Sequence, residues 1–534
     1  MTQLFLEKKN YLYYIYHLCV CLLAIGLCTS KALVSISAAT LFLISIFSFK
    51  LADLQQSIRT KKSLLFLFLF FVYYCLSIIW SSDFLIGIQD IVSKLNLVII
   101  PIALLIKPID SKWLERLFLV FIWSVVSTST YNVIHFQYST SFSRDIRTLS
   151  LFISHIRFSL FISFSLGLIL RYIWMNKNFW KRILYFSLFC WLLFYMYYSE
   201  VLSGILGLAG GIFLSLLISL LKNTKTTKRV YFFSFFLVIL VGLIVSYLLS
   251  KETNPPVRTL KTYPKFTQLG NAYSHDTLSK EMENGNYIYT LICDKEIDSI
   301  WPKLSSIPLN QQNLKGYQTR MVMYRYLTSK ALPKDAFGLQ QLTQEDIRSI
   351  ENGIPSILEV RSGIFSKINY YFKNLNQSED PNGNSLLQRL EYWRVGSALF
   401  KKHPIIGVGI GDYKSAFAEE YEKKESLLYL ENRLETHQQF LSVLIATGCI
   451  GGILFALIFY FYVVQTSLNP IAIYFIGIIL ASFLVEDTLT TLSGMSFFAL
   501  FYTLFQTTIP SLRGIADKKL SKFVVGSISI STKK

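Results

Sequence analysis

Residues 203–221 read SGILGLAGGIFLSLLISLL, an uninterrupted apolar run with no charged side chain before Lys222. An α-helix rises about 1.5 Å per residue, so about 20 such residues cross the hydrocarbon core of a bilayer. The run does not alternate, and in hydrocarbon the backbone must satisfy its own hydrogen bonds, so it predicts a transmembrane helix. Comparable runs lie near 11–29, 32–49, 63–80, 88–106, 114–135, 157–175 and 181–199 before it, and near 230–249, 438–465, 471–489 and 492–511 after it. The pattern predicts an all-α polytopic integral membrane protein with about twelve spans. The fourth is the weakest, because it holds Asp90, Lys94 and Asn96. Composition agrees: 16% of residues are charged, against about a quarter in soluble domains. The first run lacks a small-residue cleavage site and is followed at once by another, so it reads as a retained helix and not a signal peptide.

The basic residues give the orientation. Lys8 and Lys9, the group Lys50 to Lys62, then Lys107, Lys112 and Arg116, then Arg171 to Arg182, Lys222 to Arg229, and Arg513 to Lys534 all fall on one side of a twelve-span layout. The opposite short loops hold Lys31, Arg144 and Arg147, with Arg157 at a span edge. Both termini are therefore expected in the cytoplasm and the long segment after span nine outside. This asymmetry accounts for the net charge of +19, and the outer segment is nearly balanced in sign, so no nucleic-acid partner is indicated. Of the seven cysteines only Cys293 lies in the outer segment, which excludes a disulfide framework or a Cys-x-x-Cys metal pair.

The expected organisation is nine spans over 1–249, an extracytoplasmic domain over 250–436, three spans over 437–512 and a basic tail over 513–534. Pro255 and Pro256 close span nine. The domain that follows predicts mainly helices, including 343–352 with Thr343 as N-cap, 385–402 and 412–425. Residues 375–384 read as a turn-rich linker.

Three places carry polar groups suited to chemistry at a membrane surface. The first is Ser154-His155-Ile156-Arg157-Phe158-Ser159 at the outer mouth of span six, where the plain alternative is an arginine snorkelling to the headgroups. The second is Arg389-Leu390-Glu391-Tyr392-Trp393 with His403-Pro404-Ile405-Ile406-Gly407-Val408-Gly409-Ile410-Gly411-Asp412 after it. A guanidinium beside a glycine-rich turn could offer a fork and backbone N–H groups to phosphate. On spacing alone an exposed helix and a tight turn explain it better, and the glycines follow a helix and Pro404, which excludes a dinucleotide fingerprint. The third is Thr436-His437-Gln438-Gln439-Phe440-Leu441, with Gly448, Gly451 and Gly452 beyond. Thr436 is the expected N-cap and His437 the first-turn histidine, which is either held neutral and able to accept a proton or, equally on these residues alone, a membrane-surface histidine with no task. Glu486 and Asp487, at the end of span eleven, are either acceptor-side contacts or a helix cap.

Together, R-L-x-x-W at Arg389, P-x-x-G-x-G-x-G-D at Pro404 and H-x-Q-F-L at His437, the last opening a late span after a large outer loop, resemble the O-antigen ligase and polymerase superfamily of bacterial envelope glycan assembly. The likeness runs from about 150 to 500 and is greatest to members from Bacteroidetes-type bacteria. These share the outer-loop text Tyr273-Ser274-His275-Asp276, Glu283-Asn284-Gly285, Arg325 to Lys330, Lys334-Asp335-Ala336-Phe337-Gly338 and Glu351-Asn352-Gly353. Two departures stand out. Many members carry His-Asn where this chain has His437-Gln438, and a Ser-Arg-Gly-type motif at span eight is here Val201-Leu202-Ser203-Gly204.

The resemblance implies a GT-C-like fold in the bacterial inner membrane, with the large loop periplasmic. It further implies transfer of a glycan from undecaprenyl diphosphate to a hydroxyl acceptor such as lipid A–core, amid membrane lipids and without a cofactor or metal. Under that reading His437 activates the acceptor. Arg389 and Arg157, with Gly409 and Gly411, hold the diphosphate, Arg157 standing in for the arginine missing near Leu202. Asp412, Glu486 and Asp487 lie on the acceptor side. A ligase ranks first, a polymerase or protein O-oligosaccharyltransferase of the same scaffold second. A polytopic transporter or flippase, or a surface receptor, is the alternative from another class.

Overall fold

A computed structural model of the chain describes residues 2–47, 58–138, 149–221, 263–276, 278–279, 281–313, 317–357, 381, 385–466 and 469–507. The ninth expected span, Pro255–Pro256, most of the 375–384 linker and the basic tail lie outside these residues. The chain divides into two compact units: Met1–Phe236 with Tyr392–Glu425 and Leu434–Lys534, and Leu237–Glu391 with Ser426–Arg433.

The first unit is a helical bundle. Among the described residues eight helices are long and apolar enough to cross a membrane: Tyr11–Thr29, Lys62–Trp80, Phe84–Ile106, Ser111–Tyr138, His155–Met175, Phe179–Tyr198, Leu202–Leu221 and Gln439–Thr466. Lys31–Ile46 and Pro470–Phe483 are shorter apolar helices, and 492–507 is helical as well. The weak fourth segment is two helices, Phe84–Ser93 and Asn96–Ile106, broken at Lys94 and Leu95. Asp90, Lys94 and Asn96 each have a partner, as charged and amide groups within a membrane segment require. Asp90 accepts from Tyr74 and Lys94, and Asn96 donates to Ser496 at 2.9 Å.

Small residues let two helices touch. A β-carbon on Gly210 would come within 2.8 Å of the Gly477 carbonyl, and one on Gly477 within 2.6 Å of the Gly210 carbonyl, so Leu202–Leu221 and Pro470–Phe483 meet backbone to backbone. Phenylalanines fill the centre: Phe161 lies 4.6 Å from Phe497 and Phe164 lies 4.7 Å from Phe501, ring centroid to centroid.

The second unit has its own core, with Ile297, Trp301, Met323, Tyr326, Leu327, Leu339 and Ile350 among its buried members. Helices Asp294–Leu304, Thr319–Ser329, Ala336–Gln340 and Gln344–Glu351 enclose it. The last begins as the sequence predicts, with Thr343 and Asp346 forming a reciprocal capping box. Asn284 and Gly285, at φ +49° and +78°, form the two-residue turn of a hairpin that pairs Glu283 with Asn286. Much of the quoted outer-loop text is framework here. Arg325 grips buried Glu283 through two nitrogens at 3.0 and 2.9 Å, Tyr273 donates to Asp335, and Lys330 meets Asp346 at 2.6 Å. The Lys334 amine, 2% exposed, donates to the carbonyls of Thr290 and Tyr287 at 3.0 and 3.4 Å. Burial pulls it down to about 7.

Candidate active site

Helix Gln439–Thr466 is broken at Gly448, whose φ of +64° and ψ of −167° are not helical. The break exposes backbone groups that need partners, and the glycine loop supplies them. Val408 and Gly409 donate their N–H groups to the carbonyls of Ile445 and Ala446 at 2.9 and 3.0 Å. Cys449 and Ile450 donate to the carbonyls of Pro404 and Ile405 at 2.8 and 3.3 Å. Gly448 has no room for a side chain, since a β-carbon there would sit 2.1 Å from the Ile405 oxygen. The far end of the loop is tied down too. Gly411 N–H donates to Ser81 Oγ at 3.0 Å, and Asp412 accepts from the N–H groups of Ser82 and Asp83 at 2.8 and 3.0 Å.

His437 lies just before this broken helix, not in its first turn. Its φ is +47°, a left-handed backbone uncommon outside glycine. The expected N-cap moves accordingly: helix Gln439–Thr466 is capped by Gln438, whose Oε1 accepts from Leu441 N–H at 2.5 Å. Thr436 accepts from Gln438 N–H at 3.3 Å and so supports the turn, not the helix end. Its carbonyl takes the Trp393 indole N–H at 3.0 Å, and the Tyr392 ring lies 5.7 Å from the imidazole. The His437 side chain is 35% exposed, and its Nδ1 is 3.6 Å from Oε2 of Glu486, which is 4% exposed.

Glu486 and Asp487 occupy the loop between helix Pro470–Phe483 and the helix at 492–507. Buried Arg157, in the first turn of His155–Met175, clasps this loop. Its Nη1 is 3.6 Å from Glu486 Oε2, its Nη2 donates to the Asp487 carbonyl at 3.0 Å, and its Nε donates to Thr491 Oγ1 at 3.0 Å. Asp487 Oδ1 accepts from Ser442 Oγ at 2.6 Å. Burial raises the Asp487 carboxyl above its ordinary value and the neighbouring Glu486 adds to this, while the Ser442 bond, His437 and Arg157 pull the other way. Gln439 Oε1 accepts from Leu489 N–H at 2.8 Å and fastens the loop a second time.

Residues 353–456 match a family model described as O-antigen ligase. Over this segment the chain is similar to the O-antigen ligase family. No curated protein matches it. The matched segment carries Arg389, Gly409, Gly411, Asp412 and His437, while Arg157, Glu486 and Asp487 lie outside it.

The first unit brings His437, Arg157, Glu486 and Asp487 together. Gly409, Gly411 and Asp412 are engaged in hydrogen bonds that seat the loop against the helix break and the Ser81–Asp83 turn. Arg389 is half-buried on helix Ser385–Lys402, four residues before Trp393, and falls in the second unit. Ser203, beside the Leu202 that stands where an arginine was expected, lies 3.3 Å from Ser159, two residues past Arg157. Sequence reasoning missed Tyr392, Gln439, Ser442 and Thr491. The only hint was a polar stripe, Thr436, Gln439 and Ser442, at helical spacing on a span otherwise apolar.

Proposed function

We propose that this chain is an O-antigen ligase-type enzyme that moves a glycan from undecaprenyl diphosphate to a hydroxyl acceptor, lipid A–core in the first instance, at the outer face of the bacterial inner membrane. The observation that carries the reading is His437: a half-exposed imidazole in a left-handed turn, backed by a buried carboxylate, inside the segment that matches the ligase family. An imidazole so placed can take the proton of an attacking hydroxyl, which contributes about 10² to 10⁴ in rate. The acceptor oxygen bonds to the anomeric carbon as the bond to diphosphate breaks. The diphosphate leaves with the electron pair, the anomeric configuration inverts, and the proton rests on His437.

The departing charge is assigned to Arg389, whose planar guanidinium suits paired phosphate oxygens. With that cation in place the reaction needs no metal. The glycine loop serves this reading as a support for the broken helix, and the apolar helices offer a surface for the polyprenyl tail.

The test combines cells and purified protein. Cells lacking the protein should lose the lipopolysaccharide ladder and accumulate lipid-linked polymer. A single-repeat band would assign a polymerase, and an unchanged ladder with altered glycoproteins a protein transferase. With purified protein, Arg389→Lys should fail nearly as badly as Arg389→Ala, because lysine keeps the charge but loses the fork. His437→Ala should keep donor affinity and lose turnover. Full turnover in His437→Ala would refute the assignment of the base.

A further inference from the structure

We infer that Arg157 is not a diphosphate ligand but the clasp of a positioning device, in which Glu486 sets the ring of His437 and Asp487 sets its backbone. This inference rests on His437 being the base of the proposed transfer.

The guanidinium of Arg157 faces the 486–491 loop with three nitrogens: Nη2 donates to the Asp487 carbonyl and Nε to Thr491 Oγ1, both at 3.0 Å, and Nη1 lies 3.6 Å from Glu486 Oε2. Its side chain is 7% exposed. To grip a diphosphate it would have to give up these contacts and let the loop go. A buried guanidinium whose Nε and Nη2 already donate to protein oxygens, and whose Nη1 faces a carboxylate, is committed to protein.

What the clasp holds is an acid pair that reaches His437 by two routes. Glu486 presents one oxygen to both Arg157 Nη1 and His437 Nδ1, each at 3.6 Å. A carboxylate at Nδ1 favours the tautomer with its proton there and leaves Nε2 to accept one from the acceptor hydroxyl. At 3.6 Å the contact is longer than a hydrogen bond, and contacts of this kind tighten when substrate closes the site. When the proton arrives, the imidazolium faces a carboxylate already fixed in place.

The second route runs through hydroxyls. Asp487 accepts from Ser442 at 2.6 Å, the Ser442 and Thr436 hydroxyls bond to each other, and Thr436 Oγ1 takes Gln438 N–H at 3.3 Å. The residues on both sides of His437 are thereby tied to Asp487. A histidine at φ +47° is held by its surroundings and not by its own preference. Glu486 faces this histidine at 3.6 Å and Asp487 lies close by, with Arg157 behind them and the Tyr392 ring 5.7 Å away on another side.

The experiment is steady-state transfer by the purified full-length protein from a lipid-linked donor, reading kcat and donor KM separately. Glu486→Gln should lower kcat about 10- to 100-fold, the usual loss for a residue that orients a working imidazole, and leave donor KM within about twofold. Arg157→Gln should lower kcat in the same way, and Arg157→Lys should recover part of it, since an ammonium can still reach Glu486. Glu486→Gln combined with His437→Ala should be no slower than His437→Ala alone, because both act through one imidazole. The inference is overturned if Arg157→Gln raises donor KM tenfold or more at unchanged kcat, which would make it a diphosphate ligand. It is also overturned if Glu486→Gln, which keeps shape and volume, turns over like the wild type. If Arg157→Gln does not fold, Glu486→Gln alone decides. Full turnover in His437→Ala would sink the underlying transfer reading instead, a result separable from all of these.

Discussion

Replacing Gly448 by alanine tests the architecture beneath the site. The residue sits at φ +64°, and a β-carbon would lie 2.1 Å from the oxygen and 2.3 Å from the carbon of Ile405, both backbone atoms that cannot swing aside. Ordinary contact needs more than an ångström beyond this, so the loop must move away from the break. That movement takes with it the pairs Val408 to Ile445, Gly409 to Ala446, Cys449 to Pro404 and Ile450 to Ile405. At about 1 kcal/mol for each buried backbone bond lost, with at least about 1 kcal/mol of left-handed strain, the cost is about 5 kcal/mol, enough to unseat the loop in a marginally stable fold. Gly452→Ala is the control. Its β-carbon meets the Leu444 Cδ2 end at 2.5 Å, a side-chain tip that can turn away, so it should cost less than about 1 kcal/mol. Thermal unfolding in detergent and complementation of the glycan phenotype read both variants. If Gly448→Ala melts and complements like Gly452→Ala, the loop is not wedged into the break and the account of the glycines is wrong.

Three further outcomes are expected. Gln438→Ala should cost about 1 kcal/mol of capping and lower turnover, whereas Gln438→Asn should retain the cap, both read by melting and transfer assays. Because Lys334 falls to about 7 in the folded protein from an ordinary 10.5, the unfolded chain holds more protons between those values. Stability should therefore rise with pH across that window, by up to about 1.4 kcal/mol per pH step. Lys334→Met should flatten the slope, and an unchanged slope in that variant would refute the assignment. A reporter active only outside the cytoplasm should work when fused after residue 330 and fail at the C-terminus, and the reverse pattern would overturn the orientation drawn from the basic loops.

The bundle's helices were legible because their signal is local. A run such as 203–221 must be helical wherever the chain takes it, since no other conformation satisfies its backbone in hydrocarbon. The same holds for the Thr343 cap, whose partner Asp346 is three residues away. His437 and the glycine loop could likewise be singled out by residue type and order.

Their assignments depended on distance in space. Asp412 finds its partners 330 and 329 positions earlier, at Ser82 and Asp83, and Arg157 meets the Asp487 carbonyl across 330 positions. That the Val408 and Gly409 N–H groups pair with the carbonyls of a broken helix cannot be read from a glycine-rich turn alone. The contacts of Arg157 with the 486–491 loop are likewise out of reach of its position at a membrane mouth. Sequence by itself determined which residues carry charge, donors and protons, because these are properties of single side chains. Tertiary structure decided whether each group faces a substrate or another part of the protein, because a hydrogen bond between residues 330 positions apart leaves no periodicity in the chain to read.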